Sequence, residues 1–184
     1  MRWDEFIKAC PELGQLARER FMRDELVLLG TIRADGRPRI SPCEPDMVEG
    51  RLLLGMMWQS PKAKDLLRDA RLTVHSVPSD RMNAAGDVKL YGDAIDERDP
   101  ALRREFRRAI RARIDWEPEE PYHLFSLDIA EGAFMRFTEK EKETWRWARR
   151  QPACAKIANR TRERFPGRKK APPPQSVTQP DIPT

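Results

Sequence analysis

The stretch that decides the fold is Leu26-Val27-Leu28-Leu29-Gly30-Thr31-Ile32-Arg33, followed by Ala34-Asp35-Gly36 and then by residues 37–48. The first eight residues are an apolar run typical of a buried strand. Asp-Gly favours the positive φ angles of a tight hairpin turn. Residues 37–48 are therefore predicted to return as a second strand. Its prolines place it at a sheet edge or give it a bulge.

Further strands and helices follow this hairpin. Strands are predicted at 51–58, 72–77, 88–95, 122–129 and 133–138, with a turn at Glu131-Gly132 between the last two, and at 144–149, where helix is the alternative. Helices are predicted over 3–22 with a break at Pro11, from Ser60-Pro61 to Asp69, and from Asp99-Pro100 onward. Six or seven short strands with hairpin turns indicate an antiparallel barrel with helices packed outside it.

Length and composition limit the class of protein. The chain has 184 residues, enough for one domain with a hydrophobic core. No apolar run approaches the roughly 18 residues of a membrane helix, and the acidic first residues do not resemble a secretory signal. Cys10, Cys43 and Cys154 lie far apart and indicate neither a disulfide framework nor a zinc site. We therefore expect a cytoplasmic protein in a reducing compartment.

The positive charge lies near the C-terminus. Residues 144–170 hold ten basic residues and one acidic residue, whereas residues 1–143 hold 25 basic and 28 acidic residues. Because the body is not basic, we expect no nucleic-acid partner for it. The basic segment itself is interpreted as a solubilising tail, with a polyanion-binding arm as the alternative.

The junction between the third predicted strand and its helix carries the chemistry. It reads Gly55-Met56-Met57-Trp58-Gln59-Ser60-Pro61-Lys62-Ala63-Lys64. A helix N-terminus offers free N–H groups and a partial positive charge. Ser60 adds a hydroxyl, and Lys62 and Lys64 add cations where the helix dipole disfavours them. The pattern suits a phosphate site, although from the residues alone a plain capped helix with solvated lysines is the simpler interpretation.

Neighbouring strands could add to this site. Arg39 and Ser41 share one face of their strand because side chains alternate with period two. Pairing of this strand with residues 51–58 would bring Arg39 towards the same anion, although a surface arginine is the simpler interpretation. Lys89 points to the face opposite Val88 and Leu90, towards either solvent or a ligand cleft.

The ordered set of motifs resembles the pyridoxamine 5′-phosphate oxidase-like FMN-binding split-barrel superfamily over residues 10–138. The resemblance rests on the following motifs: Leu28-Leu29-Gly30-Thr31, Asp35-Gly36-Arg37-Pro38-Arg39-Ile40-Ser41-Pro42, Leu52-Leu53-Leu54-Gly55-Met56, Ser60-x-Lys62-x-x-x-Leu66-x-x-Asp69-x-Arg71, and Val88-Lys89-Leu90-Tyr91-Gly92-Asp93-Ala94. It implies a mainly β (α+β) fold, an antiparallel six- to seven-stranded split β-barrel with peripheral helices.

The resemblance also implies a homodimer with two cofactor sites at the subunit interface. By position, the implied cofactor-binding residues are Arg39 and Ser41 near the phosphate, Met56 and Met57 along the ring, Ser60 and Lys62 at the phosphate turn, and Lys89 from the partner subunit. Trp58 could wall the ring or seal the dimer interface. His75 and His123 are interpreted as structural, and two isolated histidines predict no metal site.

One departure from the pattern concerns the cofactor. Pro61 stands where relatives usually have arginine, which removes a bidentate phosphate donor. Three cofactors therefore stay open: FMN, its deazaflavin analogue coenzyme F-420, and haem. The expected function is an oxidoreductase acting on an unidentified small molecule, with a non-catalytic flavin or haem carrier as the alternative. No catalytic residue is identified.

Three segments follow from these patterns. Residues 1–150 form the split-barrel flavin-binding domain. Residues 151–165 are predicted to form a basic helical extension. Residues 166–184 are rich in proline and poor in apolar residues, which predicts a disordered tail.

Overall fold

A computed structural model describes residues 1–78, 81, 83–139 and 141–160. Its four helices are α1 (Trp3–Ala9), α2 (Pro11–Asp24), α3 (Pro61–Arg68) and α4 (Pro100–Ile114). The strands of the described part are β1 (Val27–Ile32), β2 (Pro38–Cys43), β3 (Pro45–Val48), β4 (Arg51–Met57), β5 (Arg71–Ser76), β6 (Asp87–Asp96), β7 (Tyr122–Phe137), β8 (Glu141–Ala148) and β9 (Gln151–Arg160). Within the described ranges, no helix is both long enough and apolar enough to cross a membrane.

The first hairpin forms as its sequence predicts. Gly36 adopts a φ of 81°, which places the turn between β1 and β2, and Val27 pairs with Cys43 at the far end. The second predicted strand is wrong in one respect, because it divides at Glu44 into β2 and β3, which belong to different ladders. The division frees β2 to lie at one end of the sheet order.

The strands build one antiparallel sheet that does not close. Its order is β2-β1-β5-β6-β7-β4-β3, with β8 added to β7 and β9 added to β8. Strands β2 and β4 approach each other without sharing a ladder, and this gap is the split of the barrel. The predicted fold class, a mainly antiparallel split barrel with peripheral helices, is confirmed.

The barrel core is sealed by the first two helices. Pro11 begins α2 and ends the continuity with α1, as predicted. Trp3 and Phe6 of α1, with Leu13 and Phe21 of α2, are buried in the main apolar cluster together with residues from β1, β4 and β7. Ala63 and Leu66 of α3 join the same cluster, whereas α4 packs in a second apolar cluster with β3, β4 and β7.

The strand β7 differs from its prediction. Residues 122–137 form one strand instead of two joined at Glu131-Gly132, and a register shift opposite Tyr91 and Gly92 absorbs the irregularity. At Gly92 a Cβ atom would lie 2.0 Å from the Asp128 carbonyl oxygen, so only glycine fits against this bulge. Gly132, which the sequence predicts to be a turn residue, therefore lies inside the bulged strand β7.

The C-terminal part also corrects two expectations. Residues 151–160 are strand β9 and not a basic helix, because the open edge of β8 offers backbone groups for them to pair with. Cys10 and Cys154 are joined in a disulfide, with Cα atoms 5.4 Å apart, although 144 positions separate them in sequence. The predicted helix end at 161–165 and the predicted tail at 166–184 lie outside the described residues.

Candidate functional site

The candidate site lies where β2 faces the β4–α3 junction across the split. The Cys43 sulfur, at the end of β2, lies 3.2 Å from the Gly55 carbonyl oxygen of β4. Burial raises the pKa of the Cys43 thiol to about 12, so this cysteine stays protonated and serves as a small packed group. That agrees with its interpretation as a buried residue and not a nucleophile.

A buried carboxylate in α3 organises the β2 side of the site. Arg39 Nε donates to Asp65 Oδ2 at 2.6 Å, and Thr31 Oγ1 donates to the same oxygen at 2.9 Å. Burial alone would raise the pKa of Asp65, but these hydrogen bonds and a longer one from Arg68 together lower it. Asp65 is therefore ionised near neutral pH and fixes Arg39 beside the split.

Arg39 keeps unused donors in this arrangement. Only its Nε hydrogen bonds to Asp65, and its two terminal nitrogens donate to no other residue in the described part of the chain. The sequence missed Asp65, since an aspartate inside an amphipathic helix normally faces solvent. The only available signal was its place between Ala63 and Leu66, which share the buried face.

Ser60 and Lys62 lie at the start of α3. The Ser60 backbone N–H donates to the Met57 carbonyl at 3.1 Å, and its own carbonyl accepts from Lys64 at 3.0 Å. Its hydroxyl makes no capping bond and is shielded from solvent without a partner among the described residues. The Lys62 ammonium donates to the Pro42 carbonyl, which carries it across the split to β2.

Four predicted phosphate-site residues thus border one gap. Arg39 is tied to α3 through Asp65, Lys62 reaches β2 next to Ser41, and Ser60 begins the helix between them. An unpaired buried hydroxyl costs about 1–3 kcal/mol unless something else satisfies it. The arrangement suits an anion that accepts from Ser60 and from the terminal nitrogens of Arg39.

The predicted ring residues separate by orientation. Met56 is buried in the barrel core, whereas Met57 is 81% exposed and Trp58 is 53% exposed. Leu67 of α3 is exposed as well, on the surface that Trp58 borders. The side chain of Met56 therefore cannot face a ligand outside the barrel, while Met57 and Trp58 offer apolar surface beside the anion site.

A cavity of about 460 Å³ is bordered by Trp58, Gln59 and Leu67. Trp58 stacks on His123 with ring centroids 4.4 Å apart and an interplanar angle of 10°. The cavity wall continues through charged and aromatic residues: Asp96, Arg98, Arg103, Glu120 and Tyr122. Each arginine is paired, Arg98 with Asp96 at 2.7 Å and Arg103 with Glu120 at 3.2 Å.

His123 lines this cavity, although the sequence interprets it as structural. It is only 6% exposed, and its Nε2 is buried without a hydrogen-bond partner in the described ranges. Burial lowers the pKa of His123, so the imidazole is neutral at neutral pH. Its position opposite Met56 in the β4–β7 ladder puts it at the barrel end, where strand pairing rather than local sequence decides.

Lys89 lies apart from this gap within one chain. It pairs with His75 across β5 and β6, and its ammonium donates to Asp87, whose carboxylate is 3.8 Å from His75 Nε2. In the sheet order β6 is three strands away from β2. A role for Lys89 at the cofactor therefore requires the site of a second subunit, as the resemblance implies.

Comparison with known proteins supports the fold. The sequence matches no protein-family model and no curated protein. A protein related to general stress protein 26 of B. subtilis (pyridoxinephosphate oxidase family) from Clostridium acetobutylicum superposes with a TM-score of 0.56 at 14% identity, covering 77% of this chain and 99% of the other. A pyridoxamine 5′-phosphate oxidase-related FMN-binding protein from Nostoc punctiforme gives 0.55 at 15% identity, covering 82% and 96%.

A haem-binding protein from Mycobacterium smegmatis is also similar, with a TM-score of 0.54 and 17% identity over 70% of this chain. The chain spans 56% of the length of that protein. At these identities the likeness concerns the fold. The chain therefore has the split-barrel fold of pyridoxamine 5′-phosphate oxidase-like FMN-binding proteins, which confirms the resemblance found in its motifs.

Proposed function

We propose that the protein is an FMN- or deazaflavin-dependent oxidoreductase that acts on a small molecule from a homodimer in the cytoplasm. The phosphate end of the cofactor binds in the split between β2 and α3. The ring lies against Met57 and Trp58. When bound, such a cofactor accepts and donates hydride, and the protein supplies binding, orientation and shielding.

The observation that carries this proposal is the buried Ser60 hydroxyl, which has no partner in the described residues. It lies at the N-terminus of α3, where free N–H groups and the helix dipole favour an anion. Arg39 supplies two unused terminal nitrogens nearby, held in place by Asp65. A phosphate ester fits this set, because it brings both charge and acceptor oxygens to donors that lack them.

The exposed apolar surface supports the ring end. Met57 and Trp58 leave more than half of their surfaces in solvent, directly after the strand that leads to the phosphate site. A flavin ring would cover this surface and keep water from its reactive edge. The neutral His123 behind Trp58 could then accept a proton from a substrate or donate a hydrogen bond to it.

The outer face of the sheet supports the homodimer. Ile40, Gly30, Thr73 and Tyr91 form a row across β2, β1, β5 and β6, since each is the ladder partner of the next. Ile40 is 68% exposed and Tyr91 is 37% exposed. A second subunit on this face would cover the row and present the nearby Lys89 to its partner.

The experiment is a titration of the full chain with FMN, coenzyme F-420 and haem, followed by visible absorption and by the fluorescence of the two flavins. We expect one flavin-type cofactor to bind per subunit, with Arg39→Met weakening it at least about tenfold through the lost phosphate contact. Arg18→Met, which removes an exposed arginine of α2, is the matched control and should change affinity little. Failure of all three ligands to bind at tens of micromolar would overturn the proposal.

A non-catalytic carrier is the second candidate. It is favoured by Pro61 and by the hydrogen bond that the Lys62 ammonium donates to the Pro42 carbonyl. Both features reduce the number of donors available to a phosphate. In addition, one protein of similar fold is a haem-binding protein. Anaerobic reduction of the bound cofactor by NADH, NADPH or reduced F-420 separates the two. A loaded protein that none of these donors reduces would favour the carrier.

A further inference from the structure

The junction between the first two helices brings three metal-ligand groups together. Cys10 ends α1 and precedes Pro11, the first residue of α2, while Glu12 lies in the first turn of α2. Cys154 comes from β9. The two sulfurs and a Glu12 carboxylate oxygen all lie within 4.8 Å of one another.

We propose that this cluster is a redox-gated binding site for a soft divalent cation of the Zn²⁺ type. Two thiolates and a carboxylate are ligands that Zn²⁺ takes in proteins, and three protein ligands leave a fourth tetrahedral position for water. The ligands come from side chains and not from the backbone N–H groups of α2. The dipole of this 14-residue helix nevertheless stabilises the negative charge of the ligands at its N-terminus.

Oxidation decides which state the site takes. In this structure the two sulfurs are bonded to each other. A thiol reductant cleaves that S–S bond by exchange, so that two electrons and two protons convert the disulfide into two thiols while the reductant becomes a disulfide. Metal binding then displaces the two thiol protons. A cysteine pair in a reducing compartment is more often metal-binding or catalytic than a permanent crosslink.

Both the disulfide state and the proposed metal-bound state attach the edge strand β9 to the α1–α2 junction. Among the described residues, strand β9 pairs with β8, and it also contacts α1. The basic residues beyond β9 follow directly from it. A link from Cys154 to the α1–α2 junction therefore fixes the strand from which the basic C-terminal segment departs, through a covalent bond when oxidised and through the cation when reduced.

The test is a Co²⁺ titration of the reduced full chain under anaerobic conditions, followed by competition with Zn²⁺. We expect one Co²⁺ per chain with a thiolate-to-cobalt charge-transfer band that Zn²⁺ abolishes. The oxidised chain should show no such band. Glu12→Gln, an exposed position that should not affect folding, should weaken Co²⁺ binding at least about tenfold, since even groups behind a metal ligand contribute this much.

Cysteine variants complete the design. Cys154→Ser should remove the band, whereas Cys43→Ser, the matched control at the third cysteine, should keep it. Circular dichroism of each variant shows whether it is folded. A reduced chain without the charge-transfer band overturns the proposal. So does a band that survives in folded Cys154→Ser, or a Glu12→Gln chain that binds Co²⁺ as tightly as the wild type.

Discussion

Two helices cover neighbouring parts of the barrel in opposite ways. Helix α4 lies on β4 and β7 with Phe106 buried among Leu53, Leu124 and Tyr122. The arginines at the edges of this apolar cluster are paired within the chain, Arg103 with the Tyr122 carbonyl and Arg113 with Asp46. Helix α3 covers the split with a buried ionic cluster, in which Asp65 accepts from Arg39 and Thr31. Both helices begin with a capping residue followed by proline.

The difference separates scaffold from site. The apolar cluster under α4 is stabilised by burial of apolar area, and the α4 arginines beside it already have partners within the chain. The α3 interface holds charges and leaves the Ser60 hydroxyl without a partner among the described residues, and this is where we propose that the cofactor phosphate binds. Perturbing α4 should therefore change stability, and perturbing the start of α3 should change binding.

The largest effect is expected in the apolar cluster between α4 and the barrel. Phe106→Ala should lower the free energy of unfolding by about 3–5 kcal/mol, because it removes a fully buried ring and leaves a cavity against Gly55. Urea unfolding followed by tryptophan fluorescence measures this. Leu67→Ala, a similar truncation at an exposed position of α3, is the control and should stay within about 0.5 kcal/mol. Equal losses in the two variants would contradict the contrast.

The next largest effect is expected at Asp65. Asp65→Asn should cost about 1–3 kcal/mol at neutral pH, because it weakens hydrogen bonds to a buried charge. The pKa of Asp65 is lower in the folded chain than the ordinary 3.8, so its stabilisation is complete above pH 3.8 and is lost as pH falls through the folded value. The gap between wild type and variant should therefore narrow in acid, which urea midpoints at several pH values measure. A constant gap would rule out this origin.

Local sequence predicts the fold well wherever one element decides its own structure. The Asp35-Gly36 turn, the proline starts of α3 and α4, and the apolar run of β1 are all confirmed. Errors arise where a distant partner decides. Residues 151–160 show no alternating strand pattern that singles them out, yet they become a strand because β8 has a free edge. Gly132 resembles a turn residue but is buried inside β7.

The site was predictable to the extent that it lies in one stretch of sequence. Ser60, Lys62 and Arg39 could be identified from the junction and the strand before it. Asp65 and His123 could not be linked to this region from the sequence, because each is brought to it by a neighbour far away in the chain: Arg39 for Asp65 and Trp58 for His123. The Cys10–Cys154 pair was invisible for the same reason.

Ser60→Ala should separate binding from stability. Its hydroxyl is buried and makes no hydrogen bond to a described residue, so its removal should not lower the free energy of unfolding and should raise it by up to about 1–3 kcal/mol. Cofactor affinity should fall about tenfold, which corresponds to about 1.4 kcal/mol. Thermal melts and the FMN or F-420 titration measure the two quantities. If the variant loses stability but keeps its cofactor affinity, Ser60 stabilises the fold and does not bind the cofactor.

The smallest effect is expected at His123, where only a pH dependence should change. Burial holds the pKa of His123 below its ordinary 6.5, so the unfolded chain takes up a proton first as pH falls. Stability should therefore decline below pH 6.5 and level off once the folded chain is also protonated. His123→Phe keeps a ring for Trp58 to stack on but cannot titrate, and urea midpoints between pH 7 and 5 should fall less in this variant than in the wild type. If both chains lose stability equally, burial does not hold the imidazole neutral, and the proposed role of a neutral His123 towards the substrate is wrong.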